Sequence, residues 1–508
     1  MLQVQNLTIT HKRDLRVLID NLSFTLSGTD RLAVIGEEGD GKSTLLQLLC
    51  MWPEIPSWCL ADGTVSTVSE RIAFLPQENV FQDSFSVYDF CSTFPAFQNA
   101  SWEDLFDACQ LTGLSSEMVY SEAPVANLSG GEIIKLRLTL LMLGAPTMLI
   151  LDEPSNDLDL NALDTLEHFL LHCALPVIFV SHDEHLLRAC ATRILHLESI
   201  HGKQKPRWTL SNTSYETYIS ARQDALERQE QLFHADLREK RARDERFLRI
   251  QQSVEHAQNN VSRQDPHSGR LLKKKMKAVK SLEHRFERED RQMTERPNTE
   301  WAIDASWFAG ISIPSGKNVL RLDLPELRAG NRILSRNIHL SVDGPEKLFI
   351  IGENGAGKTT LLKCIATALQ DRKDLKCTYM PQNYGDLLPG DLTPVQFLHT
   401  DGSKDQLTSL RIHLGAFRFT REEMEHPIRN LSGGQKAKLL LIHLILQKAN
   451  VLLLDEPTRN LSPLSAPVLR DMLLSFNGCI ICVTHDRLLL SSHPGRILRL
   501  TENGLISE

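Results

Sequence analysis

The sequence has no run of apolar residues that approaches the roughly 18 a membrane-spanning helix requires, which argues against an integral membrane domain. Residues 1–6 lack a basic segment followed by an apolar core, so we expect no secretory signal. The ten cysteines are scattered, and one Cys-x-x-Cys spacing, at Cys479 and Cys482, lies in an apolar run with no second pair nearby. This favours buried, unpaired cysteines in a reducing compartment over a zinc site.

A pattern of chemically distinctive residues occurs twice, in the same order, and fills most of the 508 residues. Each copy begins with a Gly-rich loop, at residues 36–43 or 352–359, and ends at His182 or His485. In both copies 23 positions separate the serine of a Leu-Ser-Gly-Gly segment from an Asp-Glu pair, and 29 separate that glutamate from the histidine. Repetition at fixed spacing predicts two copies of one domain. The predicted domains are residues 1–213 and 298–508, joined by a linker at 214–297.

Each Gly-rich loop follows a short apolar run and precedes an apolar helical stretch. This order predicts a strand, a phosphate-binding loop (P-loop) and a helix, in which glycines let backbone N–H groups approach phosphate oxygens. The lysine of each loop is predicted to meet the β- and γ-phosphates of ATP, and the hydroxyl residue after it to bind Mg²⁺. The predicted residues are Gly36, Gly39, Gly41, Lys42, Ser43 and Thr44 in the first loop, and Gly352, Gly355, Gly357, Lys358, Thr359 and Thr360 in the second.

A second apolar strand carries each Asp-Glu pair to the carboxyl edge of a predicted parallel sheet, where nucleotide sites form. The aspartate is predicted to hold Mg²⁺ through water, and the glutamate to polarise the attacking water as the catalytic base. The histidine follows a further apolar strand, where it can hydrogen-bond to the γ-phosphate. These residues are Asp152, Glu153 and His182 in the first copy, and Asp455, Glu456 and His485 in the second. The sequence therefore predicts an α/β fold with two tandem P-loop ATPase domains.

The segment between the two copies is long and charged. Apolar residues such as Phe247, Ile250 and Phe286 recur at spacings of three, four or seven on either side of a turn predicted at residues 265–269. We expect an antiparallel helical hairpin whose first helix has about 45 residues and a length of roughly 65 Å. Residues 241–280 contain 11 Lys or Arg against four Asp or Glu, whereas the whole chain has a net charge of −8. A positive arm on a negative body suits nucleic acid, and a solvated spacer stays open as the alternative.

The segments at residues 128–132 and 431–435 resemble the signature of ATP-binding cassette (ABC) ATPases, and this resemblance covers about four fifths of the chain. In that family two cassettes stack head to tail, so that each ATP lies between the P-loop of one cassette and the signature of the other. The resemblance implies two composite sites. The first joins the first P-loop and Gln77 to Ser432, Gly433 and Gly434, and the second joins the second P-loop and Gln382 to Ser129, Gly130 and Gly131.

Two cassettes on one chain, with a charged helical linker, resemble the ABC-F class of translation proteins. That resemblance implies a cytoplasmic monomer with intramolecular cassette pairing, which binds the ribosome near the exit site in its ATP-closed state. The linker would reach toward the peptidyl-transferase centre and its transfer RNA. Only 51 positions separate Gln77 from Leu128, a compact plan that resembles the members that protect ribosomes from antibiotics. The candidate RNA-contacting residues are Arg263, Gln264, His267, Arg270, Lys273, Lys274 and Lys275.

The second copy departs from the family pattern after its Asp-Glu pair, because Ser462 stands where the first copy has Asp159. That aspartate helps to couple the two sites in relatives, so we expect unequal sites. Two alternatives stay open: an ABC-F translation regulator without resistance activity, and a fused ATPase subunit of an ABC membrane importer, whose connector should be short. A DNA-repair cassette ATPase would carry zinc-binding cysteine pairs, which the single Cys-x-x-Cys spacing does not supply. A non-enzymatic scaffold would be expected to lose the P-loop lysines or the glutamates, all of which are present.

Overall fold

The computed structural model describes residues 1–67, 70–77, 85–156, 158–200, 205–259, 266–290, 293–294, 311–399, 404–492 and 495–508. It divides into two compact units. The first comprises Met1–Tyr215 with Glu300–Glu508, and the second comprises Glu216–Thr299. We call the two parts of the first unit cassette 1 and cassette 2, and the second unit the linker.

The strands and helices of each part follow in chain order. Cassette 1 contains β1 (Leu2–His11), β2 (Val17–Leu26), β3 (Arg31–Gly36), α1 (Lys42–Met51), β4 (Cys59–Ser66), β5 (Ile72–Leu75), α2 (Val87–Ser92), α3 (Pro95–Asn99), α4 (Trp102–Thr112), α5 (Gly130–Leu143), β6 (Met148–Asp152), α6 (Leu160–His172), β7 (Val177–Val180), α7 (Glu184–Cys190), β8 (Arg193–Ile200) and β9 (Lys205–Ser211). The linker helices are α8 (Tyr215–Asn259) and α9 (Pro266–Asp290). Cassette 2 contains β10 (Asn318–Ala329), β11 (Arg332–Asp343), β12 (Lys347–Ile351), α10 (Lys358–Gln370), β13 (Cys377–Met380), α11 (Pro394–Leu398), α12 (Lys404–Ala416), α13 (Arg421–Glu425), α14 (Gly433–Leu446), β14 (Val451–Asp455), α15 (Ala466–Ser475), β15 (Cys479–Val483), α16 (Arg487–Ser492), β16 (Arg496–Thr501) and β17 (Gly504–Ser507).

Each cassette is built on a six-stranded sheet, and the two sheets have equivalent strand orders. The order is β5-β6-β7-β3-β8-β9 in cassette 1 and β13-β14-β15-β12-β16-β17 in cassette 2. Neighbouring strands are parallel except for the last pair in each sheet. Antiparallel sheets of order β2-β1-β4 and β10-β11 complete the two cassettes. The predicted α/β fold with two P-loop domains is confirmed.

The apolar runs of the sequence form the central strands. Val34 of β3 pairs with Val180 of β7 and with Leu195 of β8, and all three side chains are fully buried. Strands buried on both faces are typical of parallel sheets that helices cover. Because β3, β7 and β6 lie side by side and point the same way, the segments that follow them meet at one edge of the sheet. Cassette 2 repeats this arrangement with β12, β15 and β14.

Each P-loop ends in a glycine with a left-handed backbone, directly before its helix. Gly41 has φ 88° and Gly357 has φ 99°. A side chain on Gly357 would also bring its Cβ to 2.8 Å from Leu334 Cδ1. Glycine is therefore favoured at Gly357 for two reasons: it adopts a left-handed backbone without strain, and it leaves room for Leu334.

The linker is an antiparallel pair of helices. Helix α8 has 45 residues, as predicted, which corresponds to about 67 Å. Lys240 Nζ lies 2.7 Å from Asp290 Oδ2, and the rings of Phe247 and Phe286 meet edge to face with centroids 5.6 Å apart. Later residues of α8 thus contact earlier residues of α9, as expected for antiparallel helices.

Two details predicted for the linker are wrong. Helix α9 begins at Pro266, so residues 266–269, His267 included, form its first turn instead of a loop, because proline suits the first position of a helix. Ile250 is one of the periodic apolar residues that were expected to pack between the two helices, but it is 46% exposed. It lies three residues after Phe247, which turns its side chain about 60° around the helix axis from that of Phe247. Arg263 and Gln264 lie outside the described residues.

None of the helices in the described part of the chain is both long enough and apolar enough to cross a membrane. Cys479 and Cys482 are free and buried within β15.

Candidate functional site

The ammonium group of each P-loop lysine is held inside its own loop. Both lysines are buried. Each Nζ donates to two carbonyl oxygens near the start of the loop. The pairs are Lys42 with Gly36 and Glu37, both at 3.0 Å, and Lys358 with Gly352 and Glu353, at 2.7 and 2.9 Å. A positive charge is thereby fixed within each loop.

The two hydroxyl residues that were predicted to bind Mg²⁺ lie beside the predicted aspartates. Ser43 Oγ donates to Asp152 Oδ1 at 3.1 Å, and burial raises the pKa of Asp152 to about 6. In cassette 2, both carboxylate oxygens of Asp455 are buried without a hydrogen-bond partner among the described residues. Burial raises the pKa of Asp455, and the nearby Thr359 hydroxyl partly offsets that rise. Buried carboxylates next to hydroxyls are the oxygen ligands that Mg²⁺ prefers, so both sets fit the cation.

Glu153 and Glu456 share an uncommon backbone conformation. Their φ angles are 50° and 52°, in the left-handed region that non-glycine residues seldom adopt. Each backbone N–H nevertheless donates to the neighbouring strand, from Glu153 to Val180 at 3.1 Å and from Glu456 to Val483 at 2.9 Å. Such strain persists where the surrounding structure imposes it, and it is common at functional sites.

The two Glu–His pairs differ in geometry. His182 Nε2 lies 3.0 Å from Glu153 Oε1, whereas His485 Nε2 lies 3.6 Å from Glu456 Oε1, and neither ring nitrogen of His485 has a hydrogen-bond partner among the described residues. Burial raises the pKa of Glu456 to about 8 and lowers that of His485 to about 4. At Glu153 the effect of burial is outweighed by the charge and hydrogen bonds of His182, so the pKa of this glutamate is lowered.

A cavity of about 620 Å³ lies between the cassettes, in the size range of small-molecule sites. It brings together residues predicted for the second composite site. Those that line it are Gly355, Gly357, Lys358, Thr359, Thr360, Gln382, Asp455, Glu456 and His485 from cassette 2, and Gly130 from the signature of cassette 1. Ser129 and Gly131 do not line it. At the other site, Gln77 is exposed and lines a separate cavity of about 40 Å³ with Glu153 and Gly130 of its own cassette.

The first P-loop contacts the signature of cassette 2 directly, through a residue that the sequence analysis did not single out. The Glu38 carboxylate accepts hydrogen bonds from the backbone N–H groups of Gly433, at 3.1 Å, and Gly434. Ser432, the residue before them, caps the same helix by accepting from the N–H of Gln435. A comparison of the two P-loops could have identified Glu38, because the second loop has Asn354 at that position.

Glu37 forms a second contact between the first P-loop and cassette 2. Its Oε1 accepts from Ser462 Oγ at 2.8 Å and from Ser465 Oγ at 2.6 Å, and its Oε2 lies 3.0 Å from Lys438 Nζ. Burial would raise the pKa of Glu37, but the Lys438 charge and these hydrogen bonds outweigh it and lower that pKa to about 2. Ser462, which stands in place of an aspartate, is therefore a donor to the opposite cassette.

This lowered pKa predicts how the contact depends on pH. A glutamate with an unfolded pKa of about 4.3 and a lower folded pKa stabilises the protein above that unfolded value, and this stabilisation is lost as the pH falls toward 2. We expect Glu37→Gln to lower the free energy of unfolding at pH 7, with a difference from the parent protein that shrinks below about pH 4. Urea titrations at pH 7, 5, 4 and 3 measure this, and a difference that stays constant down to pH 3 would contradict it.

Two arginines of cassette 2 also bind cassette 1. The buried Arg470 donates to Glu184, which is itself buried, and its Nε lies 3.4 Å from Asp486 Oδ2. Arg487 Nη1 lies 2.8 Å from Asp164 Oδ1 and 2.8 Å from Glu167 Oε2. Arg470 and Glu184 also line the larger cavity, so a buried ion pair joins the cassettes at its wall.

The fold and these residues define a tandem P-loop nucleotide-binding protein. A family model described as ABC transporter matches residues 19–156 and 335–459, slightly more than half of the chain. The chain therefore belongs to the ABC transporter family, whose ATPase domains bind and hydrolyse ATP.

Curated relatives match along nearly the whole chain. The probable ATP-binding protein YheS of Escherichia coli K12 is 28% identical over 518 residues, which cover 95% of this chain and 76% of the relative. The ATP-binding protein Uup of the same strain is 28% identical over 517 residues, covering 92% and 76%. The uncharacterized ABC transporter ATP-binding protein YkpA of Bacillus subtilis 168 is 27% identical over 542 residues, covering 97% and 93%.

Solved structures share the fold over both cassettes. The RNase-L Inhibitor aligns with a TM-score of 0.57 and 18% identity, covering 98% of this chain and 90% of that one. An archaeal ribosome recycling factor, ABCE1, in complex with a ribosomal stalk protein, aligns with a TM-score of 0.57 and 16% identity, covering 99% and 90%.

Proposed function

We propose that this chain is an ATPase of the ABC-F class that binds the ribosome near its exit site when both cassettes close on ATP. The linker then extends toward the peptidyl-transferase centre and the transfer RNA there, and protects the ribosome from antibiotics. The phosphates of ATP carry negative charge that both cassettes bind in the closed state. Hydrolysis removes this link between the cassettes, so the ATPase cycle produces a conformational change.

One observation carries the choice of an RNA partner: helix α9 has a continuous basic face. Six exposed basic residues fall within an arc of about 140° around the helix axis. They are Lys274, Lys277, Lys280, His284, Arg285 and Arg288. The half-buried Leu282 and Phe286 and the buried Val279 face α8 on the opposite side. The acidic residues of α9 whose side chains are described, Glu283, Glu289 and Asp290, fall outside the arc. A stripe of positive charge on a long helical arm suits an RNA backbone.

Several of the tip residues predicted to contact RNA belong to this helix. Lys274 lies on the basic face, whereas the side chains of His267, Arg270, Lys273 and Lys275, which belong to the same helix, lie outside the described residues. Lys274 is exposed. The proposed contact therefore runs along the helix and is not restricted to its tip.

Within each cassette, the geometry of the P-loop and of the Asp-Glu pair supports the proposed roles. Lys42 and Lys358 bind the phosphates, and Mg²⁺ would be held by Ser43 with Asp152 and by Thr359 with Asp455; when bound, it supplies positive charge to the phosphate oxygens. Glu153 and Glu456 orient and deprotonate water, and His182 and His485 hydrogen-bond to the γ-phosphate. The signature residues bind the γ-phosphate from the opposite cassette: Ser432, Gly433 and Gly434 at the first site, and Ser129, Gly130 and Gly131 at the second.

The proposal is tested by sedimentation with ribosomes. A Glu153→Gln, Glu456→Gln double variant, which should bind ATP without hydrolysing it, is expected to travel with ribosomes through a sucrose cushion in ATP and to remain in the supernatant in ADP. A Lys42→Ala, Lys358→Ala variant should remain in the supernatant in both nucleotides. If the double variant shows no ATP-dependent preference for ribosomes, the proposed function is wrong, and recovery with membranes would favour the importer interpretation.

The basic face makes a separate prediction about salt. Replacing Lys274, Lys277, Lys280, Arg285 and Arg288 by Gln in the double variant is expected to weaken ribosome binding. It should also reduce the slope of log affinity against log salt by about 3, because fewer phosphates are contacted and fewer counterions are released on binding. As a control, glutamines at three exposed arginines of cassette 2, Arg411, Arg421 and Arg429, should leave the slope nearly unchanged. Equal changes in both sets would contradict a specific role for α9.

A further inference from the structure

The two P-loops of this chain differ in charge. Between their first and third glycines, the first loop reads Glu37-Glu38-Gly39-Asp40 and the second reads Glu353-Asn354-Gly355-Ala356. The first loop therefore has two additional carboxylates, at Glu38 and Asp40. Added negative charge is unexpected in a loop that binds phosphates, because like charges at close range repel.

The extra carboxylate of Glu38 lies at an anion-binding position. It accepts hydrogen bonds from the N–H groups of Gly433 and Gly434, at the beginning of the 14-residue helix α14. The beginning of a helix has unpaired N–H groups and a positive field, and both favour an anion. These are also the signature residues that the proposed function assigns to the γ-phosphate. Glu38 thus satisfies the donors that ATP would need.

The rest of the first P-loop supports this placement. Asp40 is buried; its Oδ2 accepts from the Glu37 N–H at 2.9 Å and its Oδ1 from Ser199 Oγ at 2.7 Å. Asp40 thereby fixes the backbone next to Glu38. Glu37 is held by hydroxyls of cassette 2, at Ser462 and Ser465. At the equivalent positions cassette 1 has Asp159 and Ala162, which offer no hydroxyl to the second P-loop.

The second composite site has no such occupant in the described part of the chain. Asn354, the counterpart of Glu38, is uncharged, and its backbone N–H lies 3.5 Å from Asp159 Oδ2. The N–H groups of Gly130 and Gly131 have no carboxylate partner among the described residues, and Gly130 lines the cavity of about 620 Å³. The two sites therefore differ at the point where a third phosphate would be recognised.

We propose that Glu38 determines nucleotide specificity at the first composite site, where its carboxylate occupies the γ-phosphate position and selects against the triphosphate. The site then binds ATP more weakly than the second site does, while ADP, which does not reach the signature, binds equally well at both. This inference rests on the proposed binding of ATP between the cassettes. The weaker binding of ATP at the first site means that ATP closes the cassettes most readily at the second site.

The test measures ATP and ADP affinities at one site at a time, by equilibrium dialysis with Mg²⁺ and radiolabelled nucleotide. A Lys358→Ala background disables the second site, and there Glu38→Asn, which installs the residue of the second P-loop, should raise ATP affinity about tenfold and change ADP affinity less than about twofold. Glu38→Gln removes the charge with little change in size and should act the same way. The reciprocal Asn354→Glu, in a Lys42→Ala background, should lower ATP affinity about tenfold without affecting ADP.

The outcomes separate this inference from the function on which it rests. If Glu38→Asn and Glu38→Gln leave the ratio of ATP to ADP affinity unchanged, or raise both affinities equally, Glu38 does not compete with the γ-phosphate and the inference is wrong. The proposed function would still stand in that case if the Lys42→Ala protein binds ATP and the Glu153→Gln, Glu456→Gln variant sediments with ribosomes in ATP. Thermal unfolding midpoints of the Glu38 variants, compared with the background, ensure that altered affinity does not reflect partial unfolding.

Discussion

Glu456→Gln is expected to lower the steady-state rate of ATP hydrolysis by about 100-fold, because a positioned base contributes about that much or more to proton transfer. Glu153→Gln is expected to cost less than about tenfold. The reason is structural: the second site opens into a cavity that Glu456 and His485 line, whereas the first P-loop is joined to the opposite signature through Glu38. Phosphate release, measured for each variant over a range of ATP concentrations, gives both values.

Identical losses in the two variants would contradict this asymmetry and indicate two equivalent or strictly alternating sites. Controls at the two histidines sharpen the result. His485→Ala should follow Glu456→Gln, and His182→Ala should follow Glu153→Gln, because the imidazole of each histidine lies beside the glutamate of its own cassette, with Nε2 at 3.6 Å for His485 and 3.0 Å for His182. An unchanged KM for ATP with a reduced kcat would place the loss in the chemical step and not in binding.

Arg470→Ala is expected to lower the free energy of unfolding by about 2–3 kcal/mol, less than the full cost of leaving a buried charge unpaired, because Arg188 still pairs with Glu184. The side chain of Glu184 is only 4% exposed, and after the substitution it would keep its ion pair with Arg188 at 2.7 Å but lose its partner from cassette 2. Urea unfolding followed by circular dichroism measures the loss. The change should also weaken the junction of the cassettes, because Arg470 and Glu184 belong to opposite sides of it.

A matched control exists on the surface of the same cassette. Arg429 pairs with Asp391 at 2.6 Å, but their side chains are 65% and 89% exposed, so Arg429→Ala should cost less than about 1 kcal/mol. Adding Glu184→Ala to Arg470→Ala should restore part of the lost stability, because the second change removes a buried carboxylate that has lost one of its two arginine partners. Similar losses for Arg470→Ala and Arg429→Ala would show that the buried pair has no special role.

Local patterns in the sequence were sufficient for the fold and for much of the arrangement within each cassette. Apolar runs predicted the central strands, and the residues after them meet because parallel strands end at one edge. The contacts of Glu37 and Glu38 with cassette 2 could not be predicted in this way, since Glu38 and Gly433 are 395 positions apart and no periodicity encodes such a contact. The start of α9 at Pro266 was missed because proline is compatible with both a turn and a first helical position.

The backbone of Glu153 and Glu456 has a consequence for how this protein can change. Both residues have φ near 50°, a conformation that costs a residue with a Cβ roughly 1–2 kcal/mol and costs glycine almost nothing. Glycine at either position would therefore relieve local strain while removing the carboxylate. Stability alone therefore disfavours both acids, and under the proposed function each cassette gives up roughly 1–2 kcal/mol of folding free energy to place a carboxylate there.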